Sequence, residues 1–327
     1  MQLDHDNLRA LAAVVREGSF ERAAAALHVT PSAVSQRIKT LESRMGRLLV
    51  LRTLPAQPTD DGRILVRLAE QAALLEQEAL DHLGMGEDRP APSLRIAVNH
   101  DSLETWFIEA ATRYAEQTRT TLDLISEDQD HTAALLRNGS VLAAVTTLGD
   151  PVQGCRVHAL GRMRYVATCA PAFHARHFAR GVTPEALANA PVLVFNRKDA
   201  LQAQFARQVM GDTPWQPPTW WVPSSHAFVS ATLAGLGWTM NPLPMVREAL
   251  DDGRLVPLRA RAWHDVPLYW QHWRTGSHTM ERLTSAVRQA ARALVRPARA
   301  PAPPAATAAG AGALSRPGAG GSGSSPA

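Results

Sequence analysis

Hydrophobic positions along this chain change their spacing several times, and each change marks a different kind of element. Leu8, Leu11, Val14 and Val15 share one stripe, the spacing of a helix that buries a single face. From Phe20 to Glu42 two short helical patterns follow, joined by a tight turn. The first carries Ala23, Ala24 and Leu27, small enough to let another helix come close. His28-Val29 interrupts it. Thr30 then serves as an N-cap, with Pro31 at the first helical position, where a missing N–H costs nothing. Val34, Ile38 and Leu41 recur at i, i+4 and i+7 and lie on one face, while Ser32, Ser35, Gln36, Lys39 and Ser43 occupy the other.

Residues 48–59 read as a short strand, a Pro-bearing turn and a return, the pattern of a two-stranded wing. A longer helix is expected from about Gly62 to Leu83, with Asp60 and Asp61 as caps. Its apolar positions Leu65, Leu68, Ala72, Leu75 and Ala79 alternate spacings of three and four. Such a heptad seam packs either on its own domain or on a second copy of the chain. After the polar hinge Met85–Ser93, strand patterns alternate with helical ones. Strands are expected at Leu94–Val98, Leu122–Ser126, Val141–Thr146, Tyr165–Cys169, Val192–Phe195, Trp220–Val222, Trp238–Met240 and Pro267–Trp273, and helices at Leu103–Glu116 and His131–Arg137. The alternation predicts an α/β fold with mostly parallel sheets. The uncharged run Ala227–Val246 matches a membrane span in length, but Gly235, Gly237, Asn241, Pro242 and Pro244 break it into a helix, a turn and a strand. From Arg296 to Ala327 only Ala, Pro, Gly and Ser dominate, so residues 296–327 are expected to be a disordered tail.

The 327 residues are 45% hydrophobic and 20% charged, ordinary values for a soluble globular protein. A formal net charge of only +4 means that any nucleic-acid footprint is local. One local excess exists: Arg37, Lys39, Arg44, Arg47 and Arg52 accompany a single acid, Glu42, within residues 37–52. Beside two helices joined by a tight turn, that excess suits phosphate contacts, and the polar face of the second helix suits base edges. An ordinary amphipathic hairpin is the plainer alternative. Cys155 and Cys169 support neither a disulfide framework nor a zinc site, and point to a reduced cytoplasm. Cys169 lies in an apolar strand with no catalytic signature around it, so a buried thiol is expected rather than a nucleophile. The acidic start MQLDHDNL leads into no apolar run, so no signal peptide is expected. That argues against a secreted solute-binding protein, which would also leave residues 1–88 without a role.

Three polar turns stand at strand ends, where open sheets place ligands. They are Val98-Asn99-His100-Asp101-Ser102, Glu127-Asp128-Gln129-Asp130-His131 and Val222-Pro223-Ser224-Ser225-His226. Free N–H groups at a helix start attract a carboxylate, and acidic turns receive cations. Helix capping and solvation explain the same residues without a ligand.

Residues 1–88 resemble the winged helix-turn-helix and linker helix of LysR-type transcriptional regulators. The resemblance is carried by Gly18-Ser19-Phe20, Ala23-Ala24, Leu27, Ser35, Ile38, Leu41-Glu42, Gly46, Arg52, Thr59 and Gly62, in family order and spacing. The chain departs from the family in having Pro31-Ser32 where Gln-Pro is common. The segments NHDSLETWF, EDQDHTAALLRNG, VPSSHAFVSATLAGLGWTMNP and YWQHWR are similar to the branch of that family that activates arginine and lysine export.

The resemblance implies a winged helix-turn-helix domain over 1–60, a dimerising linker helix and hinge over 61–88, and an effector-binding domain over 89–295. That domain would have two α/β subdomains like those of periplasmic binding proteins, about 93–162 plus 268–294, and 163–267. Double-stranded DNA would meet Ser32, Ser35, Gln36, Lys39 and Arg52. A basic amino acid, lysine or arginine, would meet Asn99, Asp101, Ser102, Asp128, Asp130 and Ser224, with its carboxylate at Ser102 and its cationic end near Asp101, Asp128 or Asp130. The other implied partners are RNA polymerase and further copies of the chain, as homodimer or homotetramer. No cofactor or metal is implied. An architectural or replication-inhibiting DNA-binding role is the other activity the resemblance allows, as is a different small-molecule effector.

Overall fold

The computed structural model describes residues 3–85, 93–127 and 132–294. The turn residues Asp128 and Asp130 and the stretch 296–327 lie outside the described residues. Helix α1 spans His5–Glu17, with Asp4 as N-cap accepting from the Asn7 N–H at 3.0 Å. It ends at Gly18, whose φ of 68° is left-handed and whose added Cβ would stand 2.9 Å from Pro55 Cβ, so glycine is required twice over. Helix α2 (Phe20–Ala26) starts at Ser19, which accepts from Arg22 N–H. Helix α3 (Pro31–Met45) has Thr30 as its N-cap, accepting from Ala33 N–H at 3.2 Å, and Pro31 in its first turn. The i, i+4, i+7 stripe Val34, Ile38 and Leu41 is buried against Leu8, Leu11 and Val14 of α1. Burial of each such side chain stabilises by about 1.5–3 kcal/mol.

Strands β1 (Val50–Leu51) and β2 (Gln57–Pro58) pair antiparallel as a small wing. Glu42 accepts from Leu49 N–H at 2.9 Å, so this acid anchors the wing to α3 instead of neutralising the neighbouring cations. Helix α4 runs Asp60–His82 and its N-cap is Thr59, which accepts from Gly62 N–H at 3.0 Å. Asp60 and Asp61 stand in the first turn, so the expected cap moves one residue earlier. A Cβ at Gly62 would meet Leu49 O at 1.9 Å, which explains the glycine.

The seam on α4 divides. Leu65, with Val66 and Ala69, packs into the N-terminal core. Leu68 and Leu75 remain 41% and 45% exposed, with Ile64 beside them at 55%. One face therefore serves its own domain and the other is open.

Next come β3 (Ser93–Asn99), α5 (His100–Ser102), a π-helical turn Leu103–Phe107, α6 (Ile108–Ala115), β4 (Thr121–Glu127), α7 (Thr132–Arg137) and β5 (Ala143–Thr146). Strand β6 (Cys155–Cys169) leads to α8 (Pro171–His177), α9 (Pro184–Asn189), β7 (Val192–Val194), α10 (Leu201–Met210), β8 (Thr219–Trp221) and α11 (Ser225–Leu233). The remainder is β9 (Thr239–Pro242), α12 (Leu243–Asp251), β10 (Val256–Pro257), β11 (Trp263–Trp273) and α13 (His278–Ala290), closed by a short 3-10 turn. The main sheet runs β10-β6-β11-β5-β3-β4, with β9 also on β6, and β7-β8 form a second small sheet.

The sheet is mixed, which corrects the expectation of mostly parallel pairing. β3 pairs parallel with β4 and β5, but β11 pairs antiparallel with β5 and β6, and β6 antiparallel with β9 and β10. The reason lies in β6 and β11, two long strands that run against each other through the whole domain. Only their C-terminal halves read as strand in the sequence, because Arg156, His158, Arg162, Arg164, His264 and Asp265 dilute the apolar pattern. Their register slips between Leu268 and Tyr269, beside Gly161. The uncharged run resolves into α11, a turn and β9, and no helix among the described residues is long and apolar enough to cross a membrane. Glu78 of α4 accepts from Ser277 Oγ at 2.5 Å and Thr279 N–H at 2.8 Å, capping α13 and tying the linker helix to the sheet domain.

Candidate DNA-binding face and effector cleft

The face of α3 opposite the buried stripe presents Ser32, Gln36 and Lys39 fully to solvent, with Ser35 half-buried beside them. Ser32 Oγ lies 2.9 Å from Thr30 Oγ1, which fixes its hydroxyl at the helix start. The cationic run is thinner than it reads in sequence. Arg37 pairs with Asp6 at 3.0 Å and Arg47 with Asp61 at 2.9 Å, both acids coming from outside the 37–52 window. Among the described residues, Lys39, Arg44 and Arg52 have no carboxylate within 4 Å. Arg52 leaves the wing with its guanidinium 5.0 Å over the Phe20 ring, a cation–π contact that orients it. The face thus holds short polar groups at its centre and free cations at its margins.

If that face meets a duplex, two substitutions are expected to differ in kind. Gln36→Ala should lose about 1–3 kcal/mol of discrimination at one base position. Arg52→Ala should weaken specific and random duplexes alike and lower the salt slope by about one unit. Fluorescence-anisotropy titrations on both duplexes at several salt concentrations check this; equal losses for Gln36→Ala on both would remove the base contact.

The second site is a cleft with about 760 Å³ of empty space, its mouth included. One wall comes from the end of β3, with Asn99, His100 and Asp101. A second part of the lining comes from the segments after β7 and at the start of α11, with Phe195, Lys198, Asp199, Ser225 and Phe228, and Tyr165 of β6 lines it too. Asp101 accepts from Tyr165 Oη at 2.6 Å and is also hydrogen-bonded by Ser225. Burial nonetheless pushes its carboxyl up to about 6, and the nearby charge of Asp199 adds to the rise. Asp199 is held by the backbone, accepting from Phe195 N–H and Leu201 N–H at 3.1 Å each. Two carboxylates from separate segments thus line one cleft. Phe195, Phe228, Met240 and Met245 supply apolar wall between them, and Lys198 is the only Lys or Arg among the described lining residues. Lys198 Nζ also reaches Glu127 Oε1, at the end of β4, at 3.4 Å.

The expected effector residues are distributed unevenly. Asn99 and Asp101 line the cleft. Asn99 Oδ1 is buried with no hydrogen-bond partner among the described residues, a polar atom left over beside a cavity. Ser102 is fully buried and does not line the cleft, because one further helical step turns it inward. Ser224 is exposed and caps α11 through Ala227 N–H, leaving the lining position to Ser225. Asp199, Lys198 and Tyr165 line the cleft beyond the expected set. Asn196-Arg197-Lys198-Asp199 is a fourth polar turn close behind a strand end, the same signal as the other three. Tyr165 carried no signal, since its hydroxyl acts from within an apolar strand. Both cysteines are buried free thiols, pushed up to about 12 by burial, as a structural role for Cys169 requires.

A winged helix-turn-helix with a linker helix, joined to an α/β domain with a lined cleft, defines a DNA-binding regulator rather than an enzyme. Residues 5–63 match the model of the bacterial regulatory helix-turn-helix protein, lysR family, and residues 87–299 match the LysR substrate binding domain. The chain belongs to the LysR family of transcriptional regulators. It is 47% identical over 296 residues to the HTH-type transcriptional regulator LysG of Mycobacterium tuberculosis, covering 90% of this chain and 96% of the relative. It is 43% identical over 282 residues to the HTH-type transcriptional regulator ArgP of Pseudomonas aeruginosa, covering 86% and 93%. Among solved structures, the crystal structure of ArgP from Mycobacterium tuberculosis superposes with a TM-score of 0.79 at 47% identity, over 90% of this chain and 99% of that one. Full-length LysG from Corynebacterium glutamicum with bound effector Arg gives 0.73 at 39% identity, over 90% and 100%.

Proposed function

We propose that this regulator senses a basic amino acid, lysine or arginine, and in response controls transcription of a gene for amino-acid export. The observation that carries the reading is the pair Asp101 and Asp199 lining one cleft together with aromatic and Met side chains. An ammonium or guanidinium at the carboxylates relieves their mutual repulsion and the desolvation of Asp101. The aliphatic stem lies along Phe195 and Phe228. The α-carboxylate meets Lys198 and the backbone N–H groups at the start of α5, beside Asn99. A relative of the same architecture holds arginine, and a Corynebacterium efficiens relative is named a lysine export transcriptional regulatory protein. The working assembly in this reading is a homodimer or homotetramer formed through α4, acting with RNA polymerase on promoter DNA in the cytoplasm. The domain limits go with it: 1–60 for DNA, 61–88 for linker and hinge, 89–295 for the effector and 296–327 as a tail.

A thermal-shift screen against the twenty amino acids and norleucine tests the reading, because a ligand of the folded state stabilises it by mass action. Lysine or arginine at about a hundred times its dissociation constant should add roughly 2.7 kcal/mol, while norleucine, which lacks the charge, should add far less. Equal shifts for leucine, norleucine and lysine would refute it. Effector-dependent transcription from a defined operator separates this role from architectural DNA binding.

A further inference from the structure

A second concave site lies away from the cleft, on the face of the sheet covered by α13. Trp270 pairs with His158 and His272 with Arg156 across β6 and β11, so these four side chains share one face, with the two histidines diagonal to each other. α13 lies over Trp270, whose Nε1 donates to Thr284 Oγ1 at 3.0 Å. Beside that contact a groove opens with about 1180 Å³ of empty space, mouth included.

At its floor His158 Nε2 and His272 Nε2 are 3.3 Å apart. The ring centroids are 5.4 Å apart and the planes within 4° of parallel. At that separation the rings lie end to end and share a hydrogen bond, because face-to-face stacking would bring the centroids nearer. His272 Nδ1 is 2.9 Å from Trp273 O, and a carbonyl only accepts, so Nδ1 carries the proton of a neutral ring. His272 Nε2 then accepts from His158 Nε2–H, and His158 Nδ1 is the open position for a further proton.

The rim is cationic. Arg156 of β6, Arg288 of α13 and Arg292 just beyond it line the groove, are exposed, and have no carboxylate within 4 Å among the described residues. Glu281 is the one acid among the described lining residues, and its carboxylate faces His278 at 3.5 Å. Three guanidiniums around a recess with two imidazoles at its floor repel one another until an anion enters. Ser285 and Gln289 add neutral donors at the same rim.

We propose that this groove is a second ligand site, for a small phosphate-bearing anion, and that binding there takes up a proton on the His158–His272 pair. A phosphate group offers three oxygens to forked guanidiniums at once, which a single carboxylate cannot do. The floor is recessed and His272 is only 5% exposed, so a compact phosphate group reaches it more readily than a stiff duplex backbone. Burial, together with Arg288 and Arg156, holds the His158 imidazole below its ordinary value, and burial does the same for His272. The empty groove therefore holds a neutral pair. A bound anion reverses the local field and favours a proton at the open His158 Nδ1, so affinity for an anion of fixed charge must increase as pH falls. The site shares no residue with the cleft and stands whether or not the effector is a basic amino acid.

Calorimetry of the full chain with O-phosphoserine, inorganic phosphate and sulfate, in chloride buffers near pH 6 and near pH 8, tests it. Sulfate keeps its charge over this range, so its pH dependence reports the protein alone. One site per chain is expected, with sulfate several-fold tighter at the lower pH and unphosphorylated serine not bound. Arg156→Gln with Arg288→Gln, both at exposed positions, should weaken all three anions at least about ten-fold. His158→Gln keeps a hydrogen-bonding group but cannot gain a proton, so it should flatten the sulfate pH dependence and keep the binding near pH 8. Asp101→Asn should leave anion binding unchanged. Unaltered binding in the double arginine variant, or a pH dependence that survives His158→Gln, would overturn the proposal. So would displacement of phosphoserine by a random duplex that the arginine substitutions abolish, since the groove would then be a nucleic-acid surface.

Discussion

Asp101→Asn is expected to abolish the response to basic amino acids while leaving the empty protein at least as stable as before. Losing a charge-assisted contact costs about 1.5–3 kcal/mol, or roughly ten- to a hundred-fold in affinity. The stability effect runs the other way. Asp101 carries a folded-state pKa pushed from 3.8 up to about 6, chiefly by burial. A raised carboxyl favours folding in its protonated form, so its contribution is present below the unfolded value and is lost as pH rises through about 6. That rise corresponds to about 3 kcal/mol at neutral pH, at about 1.36 kcal/mol per unit. Asparagine still accepts from Tyr165 Oη and carries no charge to desolvate. Thermal melts between about pH 4 and pH 8 should show the unliganded variant losing the wild-type decline over that window. Lysine binding to the wild type should weaken as pH falls below about 6, with a proton released on binding. Affinity that stays level from about pH 5 to pH 8 would place the cationic group elsewhere.

Replacing both Leu68 and Leu75 with Asp should yield a monomer that binds operator DNA weakly and still folds. These leucines are 41% and 45% exposed on the α4 face opposite its own core contacts, a large apolar investment for a lone helix. In a homodimer each occurs twice, and burying the share still exposed is worth about 0.6–1.3 kcal/mol apiece, so together they supply roughly a hundred- to several-thousand-fold in the dimer constant. Charge at the same positions adds a desolvation penalty. Two recognition helices would no longer be held at a fixed spacing, so operator affinity should fall to that of a single half-site. The effector cleft lies in another domain, so the amino-acid thermal shift should persist. Sedimentation velocity decides the matter: an unchanged profile would show that the open face of α4 mediates no dimer.

Where the two readings differ, the cause is contact at a distance. Arg37 and Arg47 read as free cations within residues 37–52, but their partners Asp6 and Asp61 lie outside that stretch and meet them only in the fold. Ser224 and Ser225 are indistinguishable in a polar turn. Only the N-cap geometry of α11 sends the first to the backbone and the second to Asp101.

What the sequence determined by itself is local or periodic. Thr30-Pro31 starts α3, the i, i+4, i+7 stripe decides which face is buried, and Gly18 and Gly62 stand where no side chain fits. The helix-turn-helix, the wing, the linker helix and most strands follow from such rules, as do Asn99 and Asp101 at a strand end. Tertiary structure alone decided the antiparallel spine of β6 and β11, whose polar halves hide their period. It alone brought Asp199 to the same cleft as Asp101, 98 residues apart in the chain. It also set His158 against His272, 114 residues apart in the chain. Period and capping act over a few residues, whereas a cleft is made by strands that pair only when the whole domain has closed.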